Sequence, residues 1–351
     1  MEPVPLVCTS VLRPLFEFLE RHDVPLGDEL ARARTRLRDP CAMVPLALSG
    51  ALWSEAARVT GLADLGLRLG AETRAQDSGP LGQLVRRAAT LGQAIEAALR
   101  YGARFNSGAR YWLTAEGDDV VLHHDFSRAV REGRREGCDY VLSIWLGVIR
   151  LAAGADWRPA ELRLEGPPPA HRAQLEELAR ERVLFGGTHT ALVLPRAALA
   201  LPLPAAAGLG ADPLDARAAL PDPEFAGSAR QALASLLPLG PPQVAALARA
   251  AGTSVRSLQR RLASAQLSFG QLLDETRRDA AVRMLREPGA KIIEISGELG
   301  YSDSANFTRA FRRWTGVSPR AFRRSVVGRE LAHQVRHLGP GREGGLVERR
   351  P

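Results

Sequence analysis

Two short segments of the 351-residue chain carry side chains that are well suited to hydrogen bonding with the edges of planar polar groups, such as nucleic-acid bases. Both segments mix arginine with small hydroxyl and amide residues. Arginine can donate two parallel hydrogen bonds to guanine, and amide side chains pair with adenine in the major groove of DNA. The candidate base-reading residues are Arg256, Ser257, Gln259, Arg260, Ser304, Asn306, Thr308 and Arg309.

Further arginines in the same segments are expected to contact phosphates, which sets affinity and salt dependence rather than sequence preference. The alternative for each of them is an ordinary solvated charge on a helix face. These residues are Arg261, Arg312, Arg313 and Arg323.

An internal repeat supplies the elements that would position these side chains. Residues 244–262 and 293–311 each combine an apolar helix, a small residue, a glycine four positions later and a second helix. The small residue lets two helices cross closely, and glycine accepts the left-handed backbone of a tight turn. The pattern therefore predicts two helix-turn-helix motifs. The paired small residues and glycines are Ala248 with Gly252, and Ser296 with Gly300.

The second helix of each motif has apolar residues four positions apart, which predicts a buried face. Ser254 is expected to cap the first of these helices, and Ser302 or Ser304 the second. A long helix is expected to join the two motifs. The apolar pairs are Leu258 with Leu262, and Phe307 with Phe311.

The basic charge is confined to the same region. Residues 1–240 hold 27 basic and 29 acidic side chains, whereas residues 241–327 hold 15 and 7. Genome bias explains why Lys291 is the only lysine, but it does not explain charge confined to one segment. A localised positive field indicates a polyanionic partner, and we expect double-stranded DNA.

Residues 224–327 resemble the DNA-binding domain of AraC/XylS-type transcription activators. The turn GYSD, Asn306-Phe307, Phe311-Arg312-Arg313 and the run 316–319 (GVSP) carry the resemblance. Ser296 and Phe322 depart from the alanine and tyrosine usual there. The resemblance implies two recognition helices in successive major grooves, about 34 Å apart. It also implies RNA polymerase as a partner and activation of transcription.

The N-terminal region is predicted to be α+β, with helices first and a sheet later, followed by an all-α C-terminal domain. A β-hairpin is expected around Gly117, a long buried helix over 137–154, and a shorter helix over 171–182. Residues 10–210 resemble the arabinose-binding-type domain of one branch of the family, whose ligand varies. The expected domains are 1–210 for effector sensing and dimerisation, a linker at 211–223, DNA binding at 224–327, and a disordered basic tail at 328–351.

A small effector of unknown identity is expected in the N-terminal domain, because concave sites combine aromatic walls with a few polar anchors. Two alternatives stay open: an N-terminal domain that only oligomerises, as in a homodimer, and an enzyme tethered to DNA. The sign of regulation is also open. The candidate pocket residues are Tyr101, Arg104, Trp112, Tyr140 and Trp145.

No catalytic, metal or cofactor site is expected. His123 and His124 are neighbours on a predicted strand and therefore face opposite sides. The glycine pair before His189 is expected to be a turn between strands rather than a phosphate cradle. The sequence shows no serine-hydrolase, zinc-protease or phosphate-loop motif, signal peptide or membrane span, and its three cysteines fit reduced thiols. These features favour a cytoplasmic protein that is not an enzyme.

Overall fold

The structure is a computed structural model of the chain, which divides into two compact units, Met1–Leu273 and Asp274–Pro351. Residues 211–219 of the expected linker and the whole expected tail lie outside the residues that the structure describes. The described residues are 2–25, 27, 30–33, 42–74, 79–204, 220–287 and 289–325.

The N-terminal region begins with helices, as predicted, and also contains a short antiparallel strand pair that the sequence did not predict. Leu12, Leu15 and Leu19 recur at helical spacing and are fully buried. Gly61 ends the second helix in the left-handed region, with φ of +68°, and the Thr90 hydroxyl caps the fifth. The elements are β1 Leu6–Cys8, α1 Arg13–Arg21, β2 Met43–Pro45, α2 Leu46–Thr60, α3 Leu65–Glu72, α4 Gly79–Arg87 and α5 Leu91–Tyr101.

A five-stranded sheet follows, and its first two strands form the predicted hairpin around Gly117. Its order is β3-β4-β7-β5-β6, in which only β5 and β6 pair in parallel. The strands are β3 Ala109–Glu116, β4 Asp119–Phe126, β5 Glu161–Glu165, β6 Arg182–Gly187 and β7 Thr190–Pro195.

The long buried helix predicted over 137–154 is α6 (Arg134–Ala153), which packs on one face of this sheet. Helix α3 crosses α6 in close contact at Gly66 and Gly70, where any side chain would overlap with α6. The helix expected over 171–182 is shorter, α7 (Arg172–Glu176), because the chain turns back to form β6 beside β5. The fold of this region is therefore α+β.

The C-terminal region is helical throughout the residues described. Helix α11 begins in the first compact unit and ends in the second. Among the described residues, no helix is both long and apolar enough to span a membrane. The helices are α8 Phe225–Leu236, α9 Val244–Ala250, α10 Val255–Ser264, α11 Phe269–Arg286, α12 Ile292–Glu298, α13 Ser304–Thr315 and α14 319–325.

Candidate nucleic-acid interface and effector cavity

Helices α9 and α10 form the first predicted helix-turn-helix. Gly252 lies in the left-handed region with φ of +61°, and the Thr253 N–H donates to the Ala248 carbonyl at 2.9 Å. The Ser254 hydroxyl then accepts from the Ser257 N–H at 3.2 Å and caps α10. The turn and its cap are therefore those that the sequence predicts.

The two faces of α10 differ in the way that a recognition helix requires. Leu258 and Leu262 are fully buried on the inner face. Arg256, Gln259 and Arg260 are exposed. Ser257 is half-buried by its contact with the cap, and the Arg261 guanidinium lies 5.9 Å from the ring centroid of Phe225. The exposed face thus presents two arginines and an amide together.

Helices α12 and α13 form the second helix-turn-helix, within the second compact unit. Gly300 has φ of +70°, and the Tyr301 N–H donates to the Ser296 carbonyl at 2.9 Å. The cap of α13 is Asp303, not Ser302 or Ser304: its carboxylate accepts from the Asn306 N–H at 2.7 Å. This hydrogen bond lowers the pKa of Asp303. A carboxylate at a helix N-terminus also suits the helix dipole, which explains why it replaces a serine there.

The outer face of α13 is polar, and some of its side chains hydrogen-bond to one another. The Asn306 side chain donates to Asp303 and accepts from Arg309. The Thr308 hydroxyl donates to the Ser304 carbonyl at 2.7 Å, so only its lone pairs are free to accept from a base. Phe307 and Phe311 are fully buried on the opposite face.

The arginines expected to contact phosphates differ in their availability. Arg312 is exposed, whereas Arg313 forms a 2.8 Å ion pair with Asp274 at the surface. Arg323 was expected to contact phosphate, but it is half-buried and donates to the Ala290 carbonyl at 2.6 Å. Its guanidinium supports the loop before α12, because that carbonyl needs a donor.

Arg277 on α11 is a supporting residue that the sequence pattern did not reveal. It donates to the carbonyls of Leu299 and Gly300 at 3.0 and 3.3 Å. Its guanidinium also lies 4.4 Å from the ring centroid of Tyr301. Carbonyls at a helix end lack partners within the helix, so Arg277 stabilises the end of α12 and the turn. No spacing rule links it to a turn more than twenty residues away.

A cavity of about 120 Å³ lies in the N-terminal region. Of the five candidate pocket residues, Tyr140 and Trp145 line it, and Tyr101, Arg104 and Trp112 are not among its described lining residues. The lining was missed because apolar residues at helical spacing look the same whether they fill a core or surround a cavity. Its main aromatic and polar members are Ser10, Ser49, Trp53, Phe105, Asn106, Tyr111, Phe126, Tyr140 and Trp145.

Trp112 lies on the other face of β3, because successive residues of a strand face opposite sides. Its ring stacks on His123 with centroids 4.8 Å apart, and His123 also bonds Thr114 and His189. His124 is buried on the opposite face, edge-on to Phe126. The two histidines thus face opposite sides, as predicted. Within the described residues no group of three or more potential metal ligands occurs.

A half-buried ion-pair network joins α6 to the sheet beside the cavity. Arg134 bonds Glu165 at 2.8 Å and Asp125 at 2.8 Å, and donates to two main-chain carbonyls of the β4 end. Nearby, burial raises the pKa of the Cys138 thiol to about 12. A thiol with such a pKa stays protonated at neutral pH and is a poor nucleophile.

Two family models match the chain. Residues 30–203 match the arabinose-binding domain of the AraC transcription regulator, and residues 247–325 match a helix-turn-helix domain. Together with the two capped motifs, these matches define a DNA-binding helix-turn-helix transcription regulator with an AraC-type ligand-binding N-terminal domain. Proteins of this class are regulators and not enzymes. The chain belongs to the AraC family of transcription regulators.

The chain is similar over most of its length to other regulators. An uncharacterised HTH-type transcriptional regulator of Mycobacterium tuberculosis is 29% identical over 330 residues, covering 89% of this chain and 94% of that protein. The ornithine utilization regulator of Pseudomonas aeruginosa is 27% identical over 264 residues, covering 74% and 78%. The crystal structure of the transcriptional regulator CdpR from P. aeruginosa is 26% identical, with a TM-score of 0.41, and covers 90% and 98%.

Proposed function

We propose that the chain is an effector-controlled, sequence-specific regulator of transcription. A small molecule in the cavity changes how the first helix-turn-helix engages DNA. Residues 1–210 sense the effector and dimerise, and residues 224–327 bind DNA. The protein acts in the cytoplasm, where a bacterial chromosome lies, and activates transcription by contacting RNA polymerase, as the family resemblance implies.

The position of strand β1, between the cavity and the buried cluster beneath α10, is the observation that supports this proposal. Val7 lines the cavity, while the preceding Leu6 belongs to one buried cluster with Phe225 and Ala229 of α8. That cluster also contains Leu258 of the recognition helix α10. Because successive residues of a strand face opposite sides, a ligand that displaces Val7 also acts on the packing beneath the recognition helix.

The proposed base contacts are made from the exposed faces of α10 and α13. Arg256 and Arg260 lie one turn apart on α10, and both are exposed. They are proposed to bind guanine in one major groove, with Ser257 and Gln259 beside them. On α13 the equivalent residues are Ser304, Asn306, Thr308 and Arg309. Arg261, Arg312 and Arg313 are proposed to bind phosphate.

Binding of full-length protein to a selected operator and its single-base variants tests the DNA contacts. Arg256→Ala and Arg260→Ala should each cost about 1–3 kcal/mol and relax the preference at one base step. Arg172→Ala is a control, because it makes the same charge change on an exposed residue of α7. Equal weakening on every sequence would instead make Arg256 and Arg260 phosphate contacts, and no weakening would overturn the interface.

Effector control is tested by titrating the same operator with and without ligand. A ligand can shift the protein toward a DNA-binding state only if it binds that state more tightly. We expect DNA affinity to change with ligand, and run-off transcription to rise with it. A stable dimer whose DNA affinity ignores every bound ligand would overturn effector control and leave an N-terminal domain that only oligomerises.

A further inference from the structure

We infer that the effector is a small, neutral aromatic molecule that carries one hydrogen-bond-accepting oxygen. This inference rests on the proposed role of the cavity as the effector site. It follows from three properties of the cavity wall: its lack of charge, its aromatic surface and one unpaired hydroxyl group.

The absence of charged groups in the described lining excludes charged ligands. None of the described lining residues is Arg, Lys, His, Asp or Glu. A buried ammonium or carboxylate without a partner costs far more free energy than apolar contact returns. Ornithine, after which the P. aeruginosa utilization regulator is named, carries both groups at neutral pH. The cavity therefore offers ornithine no partner for either charge.

The size and walls of the cavity favour a single aromatic ring. Its volume of about 120 Å³ is close to that of apolar protein cavities of about 150 Å³, which bind benzene. Trp53 and Tyr140 lie with their ring centroids 5.0 Å apart, and Tyr111 and Trp145 6.0 Å apart. Such walls can make edge and offset-stacked contacts with a ring. A sugar would lose most of its hydrogen bonds to water there.

The Tyr111 hydroxyl supplies the polar anchor. Tyr111 lines the cavity, and within the described part of the chain its hydroxyl makes no hydrogen bond. Burial raises the pKa of Tyr111, so the group remains an O–H donor at neutral pH. Tyr111 is half-buried, and an O–H donor without a protein partner at a cavity wall can gain a hydrogen bond from a ligand oxygen. A carbonyl or ether oxygen on the ring substituent meets this need.

Calorimetric titration of the full chain with matched probes tests the inference. Acetophenone has the ring and the acceptor oxygen, ethylbenzene has a ring and side chain of similar size without oxygen, and L-ornithine and L-arabinose have no aromatic ring. We expect one site for acetophenone, weaker binding of ethylbenzene, and no binding of the other two. Tyr111→Phe should weaken acetophenone about five- to tenfold, the effect of one hydrogen bond, and leave ethylbenzene unchanged. Tyr101→Phe is the matched control, since Tyr101 is not among the described lining residues.

The outcomes separate this inference from the proposed function. Binding of L-ornithine or L-arabinose without acetophenone would overturn the ligand class, and so would the absence of binding by both aromatic probes. An equal loss for acetophenone and ethylbenzene in Tyr111→Phe would overturn the hydroxyl anchor. If acetophenone binds as expected but DNA affinity does not respond, the ligand class stands and effector control fails.

Discussion

The Val4 N–H donates a 2.8 Å hydrogen bond to the Ser228 hydroxyl, across 224 positions of the chain, and both residues are fully buried. Ser228 lies on α8, the first helix of the C-terminal region, and Val4 lies beside β1. The Ser228 hydroxyl in turn donates to the Phe225 carbonyl at 3.0 Å. The N-terminal strand β1 and helix α8 therefore pack in one buried cluster.

Replacing this hydroxyl should destabilise the chain. Ser228→Ala leaves the buried Val4 N–H without an acceptor, which should lower the free energy of unfolding by about 1–3 kcal/mol. Urea denaturation measures the change. Ser235→Ala on the same helix removes only a half-buried bond to the Ala232 carbonyl and should cost less. Equal losses in the two variants would show that the Val4 bond contributes nothing particular.

The turn of the first motif should be more sensitive to an added methyl group than an open turn of the same conformation. Gly252 has φ of +61°, and a side chain there would overlap with Ala129 of the N-terminal domain. Gly61 has φ of +68° and open space around it. Both changes to alanine carry the backbone strain of about 1 kcal/mol, and Gly252→Ala adds the overlap. Thermal unfolding of both variants should rank Gly252→Ala as less stable; the reverse order would contradict the contact.

Acid should destabilise the fold through His124. Burial lowers the pKa of His124 from 6.5 to about 3, and neither ring nitrogen has a hydrogen-bond partner among the described residues. His124 is therefore protonated in the unfolded chain below about pH 6.5, whereas in the folded chain it is protonated only near pH 3. Stability is lost as the pH falls through this window, by about 1.4 kcal/mol at pH 5.5.

Unfolding of His124→Phe at pH 7.5 and pH 5.5 measures this contribution. The loss between the two pH values should be smaller in this variant than in the parent chain by about 1.4 kcal/mol. His22→Gln replaces an exposed histidine and should leave the loss unchanged. An unaltered loss in His124→Phe would place the acid sensitivity elsewhere.

The two neighbouring arginines at the end of α13 should differ in DNA binding. Each phosphate contact adds about 0.9 to the slope of log K against log salt, so Arg312→Ala should lower the slope by about that amount. Arg313 must give up its Asp274 partner, and Arg313→Ala should lower the slope less. Asp274→Asn should strengthen binding by releasing Arg313. Identical slopes for both alanine variants and no effect of Asp274→Asn would show that the ion pair does not compete with DNA.

The sequence predicted the elements whose determinants are local. The hairpin at Gly117, the cap at Ser254 and the turns at Gly252 and Gly300 each follow from residue type and spacing within a few positions. The cap of α13 was assigned to a serine because serine and aspartate are equally good caps, and only the backbone geometry selects Asp303.

The features that sequence reasoning missed depend on distant contacts. Tyr111 and Trp112 are adjacent aromatic residues, and only the pairing of β3 decides that Tyr111 faces the cavity. Arg323 has the type and position of a phosphate contact, but its partner is a carbonyl more than thirty residues away. A single sequence has no local signal for either outcome.

The support that Arg277 gives to the turn at Gly300 means that the second helix-turn-helix is not a portable module. A fragment starting at Lys291 would contain both of its helices, the turn and the Asp303 cap, yet it would lack the guanidinium that satisfies the Leu299 and Gly300 carbonyls. Grafting this motif into another protein therefore requires α11 as well. Helix α11 therefore supplies part of the structure of the second motif as well as connecting it to the first.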